Sequence, residues 1–364
     1  MKHFSKKAVL AAAAGMIAVM TASGCSGSID TDAVAATVGD EDITLGVANF
    51  YARMTQGQYE TYYAGMMGMT GEDMWSQELE EGKTYEESVK DSIMEELQNL
   101  YLISQHAQEY EVSLTEDEQD AIKEAAKQFD ESNSEEAKEL VSGYRKDIEK
   151  YLELVTIQSK MDSKMKEGVD EEVSDEEAAQ KAMKYVYFSF TTTDESGNSV
   201  TISDEEKEAL RTDAQNLADR VASGEDMAAV AEEMGQTASD LTFDAESTSP
   251  NEELLAAVDA FEKEGECTDP VEDENGIYVG QLTSLLDREA TDLEKSNIVE
   301  ERRQEQYDSL LEEWRSAADI KVDEKVWDKV DFEDVGVTII TPETEETEDT
   351  GETGETEETS AEAE

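Results

Sequence analysis

Apolar residues recur along much of this chain at intervals of three and four, the spacing that places side chains on one face of an α-helix. Between Tyr85 and Tyr110, the residues Val89, Ile93, Leu97, Leu100 and Tyr101 form such a stripe and predict one long amphipathic helix. Leu140, Tyr144, Ile148, Leu152 and Val155 predict a second, running unbroken from Ser134 to Lys166. A third covers 290–318, with Ile298, Tyr307, Leu310, Leu311 and Trp314 on its apolar side. Thr115 with Glu118, Ser174 with Glu177 and Ser203 with Glu206 are capping-box starts, the first opening a helix through Phe129. Elsewhere the pattern shortens. Ala33–Val38, a Gly39-Asp40 turn and Ile43–Leu45 predict a hairpin that runs into a helix at Gly46. Lys184–Phe190 and Ile277–Leu282 read as strands, and residues 320–332 as short extended pieces. A mainly helical region over 33–177, a mixed region over 178–287 and a helical return over 288–340 together predict an α+β protein.

Charge narrows the partners. The formal net charge is −63 over 364 residues, which excludes nucleic acid, because binding it requires Lys and Arg to neutralise phosphates. Residues 343–364 carry eleven acids and no base. The segment 341–364, opened by Pro342, is therefore expected to be a disordered acidic tail. At the other end, Lys2, Lys6 and Lys7 precede an uncharged run from Ala8 to Met20, too short to span a membrane. Thr21-Ala22-Ser23-Gly24-Cys25 follows and resembles a bacterial lipobox, with Ala22 where leucine is usual. That resemblance implies that residues 1–24 are a cleaved leader and that Cys25 carries the lipid. Residues 25–32 are then a tether, and the protein sits on the outer face of the cytoplasmic membrane.

Few residues offer chemistry. Beyond Cys25 the only cysteine is Cys267, which rules out a disulfide framework within the processed chain. His106, on a helix beside Ala107, reads as an ordinary side chain, and Cys267 as a small apolar one. Asp194–Asn198 with Glu205 approaches a calcium loop, but Ser199 stands where the sixth position needs glycine, so it reads as a turn. No metal or cofactor site is expected. Met66, Met67, Met69 and Met74, between Tyr63 and Trp75, have two readings. They pack a loop on the helical core, or they offer a flexible, polarisable surface to unfolded chains.

Two stretches resemble known proteins. Val38–Thr44, followed later by Ala107–Glu118, is similar to the N-terminal domain of the SurA and PrsA class of extracytoplasmic foldases. Gly224–Glu233, with Gly265-Glu266, Pro270-Val271, Gly276 and the strand to Leu282, resembles parvulin-type peptidyl-prolyl isomerases. The resemblance implies a SurA-N-like helical chaperone domain completed by the returning helix, with a divergent parvulin-like α/β domain inserted over 178–287. Carried over by position, the family's two histidines fall on Tyr185 and Tyr278, and its Asp/Cys position near Thr237. The family's loop before its Asp-Leu-Gly-Trp-Phe segment is shortened here, leading to Asp240, Leu241, Thr242 and Phe243. Leu241, Phe243 and Phe261 would line the proline pocket.

Isomerisation needs no nucleophile, only a pocket that favours the twisted imide over the planar one. Two tyrosines can donate and accept hydrogen bonds but cannot switch tautomers as a histidine pair does. Three functions stay open. One is a membrane-anchored foldase or chaperone for unfolded secreted polypeptides, with a degenerate isomerase domain. Another is an active prolyl isomerase using tyrosines, and the last is a non-catalytic lipoprotein scaffold. Nothing in the sequence fixes the oligomeric state.

Overall fold

The computed structural model describes residues 19–22, 29–64, 66, 68–79, 82–194, 196–333 and 336–339. Cys25, Met67 and the acidic tail lie outside them. The chain is α+β and divides into two compact units. A helical unit contains residues up to Met165 and from Tyr307 onward; a sheet unit contains Lys166–Gln306. The expected boundaries were 177/178 and 287/288. Residues 166–177 belong to the sheet unit because Arg302, Arg303, Arg288 and Lys295 pair with Asp170–Glu177. Arg288 and Lys295 hold Asp175 down to about 2. Ser174 bonds the Glu177 amide, yet only a turn follows, not the expected helix.

In the helical unit the hairpin forms as predicted. β2 (Val34–Val38) and β3 (Glu41–Thr44) pair antiparallel about Gly39, whose φ of +58° suits glycine at a tight turn. Thr44 caps α1 (Leu45–Gln58), which a π-helical turn, Tyr59–Ala64, extends. A short α2 (Gly71–Trp75) precedes α3 (Tyr85–His106), opened by a Thr84–Glu87 capping box. The box at Thr115–Glu118 opens α4 (Glu116–Ser132). Val19–Ala22 (β1) pairs with β11 (Gly336–Ile339), although the sequence assigns residues 19–22 to a leader. No helix among the described residues is long and apolar enough to cross a membrane.

The predicted helix from Ser134 is broken. It forms α5 (Glu135–Val141) and α6 (Arg145–Met165), separated by Ser142 in the left-handed region at φ 52°. The break is made by residues far away in sequence. Asn49 on α1 donates to Leu140 O at 2.8 Å and to Ser142 Oγ at 2.9 Å, satisfying the frayed end of α5. A Cβ at Gly143 would lie 2.5 Å from the Phe129 ring, so only glycine lets the chain pass.

The core of this unit gathers both ends of its chain. Tyr307, Leu310, Leu311 and Trp314, on α10 (Arg288–Ala317), pack against Leu97, Tyr101 and Trp327 among others. His106 stacks on Trp314 with ring centres 4.2 Å apart and bonds Glu109, a structural role as expected. β10 (Ile320–Val322) adds to the free edge of β2. Inside, Arg53 Nη1 donates to Gln56 Oε1 and to Asp331 O, at 2.7 and 2.8 Å. Gln56 Nε2 reaches Glu60 Oε1 at 2.7 Å and Phe332 O at 3.1 Å. Glu60 then accepts from Trp75 Nε1 and from the Val337 amide, at 2.8 and 2.6 Å.

Asp147, at the start of α6, is 3 % exposed, and its Oδ2 has no hydrogen-bond partner among the described residues. Its carboxylate sits where a Gly46 side chain would be, 2.5 Å from that Cβ position, in the first turn of α1. The positive end of a helix favours a carboxylate. Burial wins nonetheless. It pushes Asp147 up to about 6; Lys146 opposes this and Asp32 adds to it. The unfolded chain therefore ionises Asp147 first, near pH ~4. The stability contribution is fully present below that pH, falls as pH rises towards 6, and is constant above. Asp147→Asn should gain stability relative to the parent between pH 4 and 7, by at most roughly 2–3 kcal/mol. Urea midpoints of the two proteins at both pH values measure this; a gap that does not widen contradicts it.

Candidate functional site

The sheet unit is built on β4 (Lys181–Ser189), flanked by β7 (Ala238–Phe243) and β9 (Gly276–Ser284), with β8 (Val271–Glu272) beyond β9. All pairings are antiparallel. Side chains alternate between faces along a strand, and β4 uses both. Val186 and Phe188 face α7 (Asp204–Ala222) and α8 (Met227–Glu233), within a core that includes Leu217 and Val230. Met183, Tyr185 and Tyr187 face the other way, toward α9 (Glu252–Asp259). That helix lies so close that a Cβ on Gly280 would come 2.9 Å from both Leu254 and Val258.

Tyrosines collect on this second face. Tyr187 stands opposite Tyr278 in the ladder, their rings stacked with centres 4.5 Å apart. Tyr185 lies opposite Gly280, its ring centre 6.4 Å from that of Tyr278. Tyr187 OH donates to Asn275 O at 2.7 Å. Its ring also covers Gly276, where a Cβ would meet it at 2.4 Å and the Phe188 carbonyl at the same distance. Tyr278 is 8 % exposed, and burial pushes its phenol up to about 12, with Tyr187 and Asp273 adding to the effect. Near neutral pH the Tyr278 hydroxyl is therefore a neutral hydrogen-bonding group set in apolar carbon and is not poised to shuttle protons.

The expected site residues are only partly brought together. Tyr185 and Tyr278 share the face, and Tyr187 joins them, a member that sequence reasoning missed although period-2 alternation from Tyr185 points to it. Leu241 and Phe261 are half-buried beside them, while Phe243 is 1 % exposed and serves the core. Asp240 pairs across the ladder with Lys184, and alternation puts both on the opposite face from the tyrosines. Thr237 is exposed, one residue before β7. Cys267 is half-buried, and burial raises its thiol to about 11, which makes it unreactive at neutral pH. Asp194 accepts the Ser196 and Asn198 amides in a hairpin turn.

A second candidate lies in the helical unit. A cleft of about 760 Å³ opens among α1, α3 and α6. Tyr51, Thr55 and Gln58 line it from α1, Tyr59 from the π-helical turn that follows, and Tyr85, Ser88, Ser92 and Glu96 from α3. Met54, Val89, Ile93 and Val155 supply an apolar floor. Tyr51 stacks on Tyr151 at 5.1 Å, and Tyr59 meets Tyr85 edge-on at 5.9 Å. Burial raises the phenols of Tyr51 and Tyr151, so both stay protonated. Each tyrosine is unremarkable alone; the signal was their recurrence with Thr55 and Ser92 at helical spacing. Met66, Met69 and Met74, the described methionines of that segment, do not line this cleft. Met74 and Trp75 are fully buried, Met66 is 77 % exposed and Met69 half-buried.

The solved structures similar to this chain include PrsA foldases. Foldase PrsA from Lactococcus lactis is 14 % identical, over 82 % of this chain and 97 % of that one, with a TM-score of 0.32. Foldase PrsA from Streptococcus pneumoniae is 16 % identical, over 66 % and 89 %, at 0.30. The peptidylprolyl isomerase PrsA from Bacillus anthracis is 19 % identical, over 62 % and 96 %, at 0.25. No model of a protein family and no curated protein matches the chain.

Gly276→Ala should push Tyr187 off its perch and loosen the β8–β9 hairpin, at a cost of roughly 1–3 kcal/mol for overpacking. Amide hydrogen exchange over residues 271–284 should speed up in the variant. Unchanged protection would show that the ring swings aside freely.

Proposed function

We propose that this chain is a lipid-anchored extracytoplasmic foldase whose main work is to hold unfolded polypeptide, with an isomerase-like sheet unit that has lost its catalytic polar set. The observation that carries this is the tyrosine-lined cleft of the helical unit. An unfolded segment offers side chains of no fixed sequence, and a suitable receptor combines apolar floor with neutral hydroxyls that pair with any passing backbone group. Tyrosine does both at small entropic cost. The helical unit would be the SurA-N-like chaperone domain and the sheet unit the parvulin-like insertion. Cys25, lipidated at the mature N-terminus, would keep the cleft beside the membrane where secreted chains emerge.

The reduced catalytic role follows from the face around Tyr278. Burial keeps the Tyr278 phenol protonated at neutral pH, Asp240 is turned away, and Phe243 is sealed into the core. The convergence of Tyr185, Tyr187 and Tyr278 on one face is the observation that favours a second reading, an isomerase with a tyrosine floor.

One protein preparation separates the two. The soluble chain should slow aggregation of a chemically unfolded client, and Tyr51→Ala or Tyr85→Ala should weaken that severalfold, whereas Tyr185→Ala should not. Protease-coupled proline isomerisation should show little acceleration. Acceleration that disappears in Tyr278→Phe would instead establish the isomerase, and aggregation that proceeds unhindered would remove the chaperone function.

A further inference from the structure

Glu96 is the one ionisable carboxylate among the residues that line the cleft. Its Oε2 accepts a short hydrogen bond from Tyr51 OH. Among the described residues its Oε1 has no hydrogen bond, and no Lys, Arg or His pairs with the carboxylate. Many other carboxylates of this acidic chain do find a cation, as Asp91 does in Lys83, Glu118 in Lys160 and Asp130 in Lys138 and Arg145. Glu96 is thus a carboxylate without a cation, held in place by a tyrosine in a cleft of mixed polar and apolar lining. Ser88 and Ser92 line the same cleft from α3, and Tyr51, which bonds Glu96, stacks on Tyr151.

We propose that Glu96 sets a sequence preference for the cleft: an extended polypeptide segment with an apolar or aromatic residue next to an arginine or lysine. The inference rests on the cleft being the client site. The apolar residue would sit over Val89 and Ile93, and the cation would meet Glu96 Oε1. An arginine would add its planar face to the tyrosine rings, which a lysine does less well. Tyr51 matters because it fixes the carboxylate before the ligand arrives, so little side-chain freedom is lost on pairing. The overall charge of −63 attracts any basic peptide, but that field is screened within about 8 Å at physiological salt. A contact at Glu96 is local and survives more salt than the field does.

The test uses fluorescently labelled peptides Ser-Gly-Leu-Phe-Arg-Leu-Gly-Ser, with Arg replaced by Gln or Glu in two partners, titrated with the full chain by polarisation. At 150 and 500 mM salt the Arg peptide should bind about tenfold more tightly than the Gln peptide, the effect of one charge-assisted contact. The Glu peptide should be weakest. Glu96→Gln keeps an acceptor for Tyr51 and removes the same charge as Glu139→Gln, a change at an exposed position on α5. The preference should collapse in the first variant and persist in the second. Equal loss in both, or loss in the parent at 500 mM salt, would assign it to the general field and overturn the proposal. Peptides that bind without regard to charge, or fail to bind while aggregation is still slowed, overturn it and leave the chaperone function standing. Failure of both binding and aggregation suppression would remove the function as well.

Discussion

The polar row Arg53, Gln56 and Glu60 runs down the inner side of α1 into its π-helical continuation, the first two fully buried and Glu60 half-buried, and the helical unit is organised around satisfying it. Burying a guanidinium, an amide and a carboxylate is tolerable only if nearly every donor and acceptor finds a partner. The partners here are backbone groups of Asp331, Phe332 and Val337 and the indole of Trp75. An apolar row would accept any greasy surface. This one accepts a strand end in a single register, because carbonyls and amides must meet particular side-chain atoms. The π-helical turn from Tyr59 continues this arrangement at Glu60, whose two oxygens point to different elements. With that side of α1 committed, its other side is free to carry the tyrosines of the cleft.

The sheet unit is organised by a different economy, that of glycine. Gly280 and Gly276 let a helix and an aromatic ring lie directly on the central strands, and the tyrosine face takes its shape from those two absences of a side chain. Phenols on such a face differ from imidazoles in more than hydrogen-bond count. A buried phenol keeps its proton across the whole physiological range, so the face presents one protonation state where an imidazole pair presents several.

Local signals were legible wherever a segment determines its own form. The hairpin at Gly39, the capping boxes at Thr115 and Ser203 and the alternation of β4 are each written in a few adjacent residues. The break at Ser142–Gly143 was not, because its causes are Asn49 and Phe129, residues outside the segment that breaks. Ser174 carried a good cap signal and formed only a turn, since the residues after it are engaged by arginines of α10 instead. Of the candidate site, Tyr185 and Tyr278 were placed by the family resemblance, within strands the alternation predicts, while Asp240 needed the ladder itself to show which face it takes. The cleft could not be assembled from helical spacing alone for the same reason: it exists between helices, and no one of them contains it.

The order of segments along the chain bears on synthesis. The sheet unit is continuous in sequence, so all its partners exist once residue 306 has been made. The helical unit is not. Its hairpin waits for β10, and Arg53 waits for a carbonyl 278 residues downstream. Domains made first usually fold first, but here the part begun first must close last. Until then the nascent helices carry their tyrosines and the uncapped polar row in an open state. Such a polypeptide passes through a stage in which it has the same needs as the unfolded chains it would later bind.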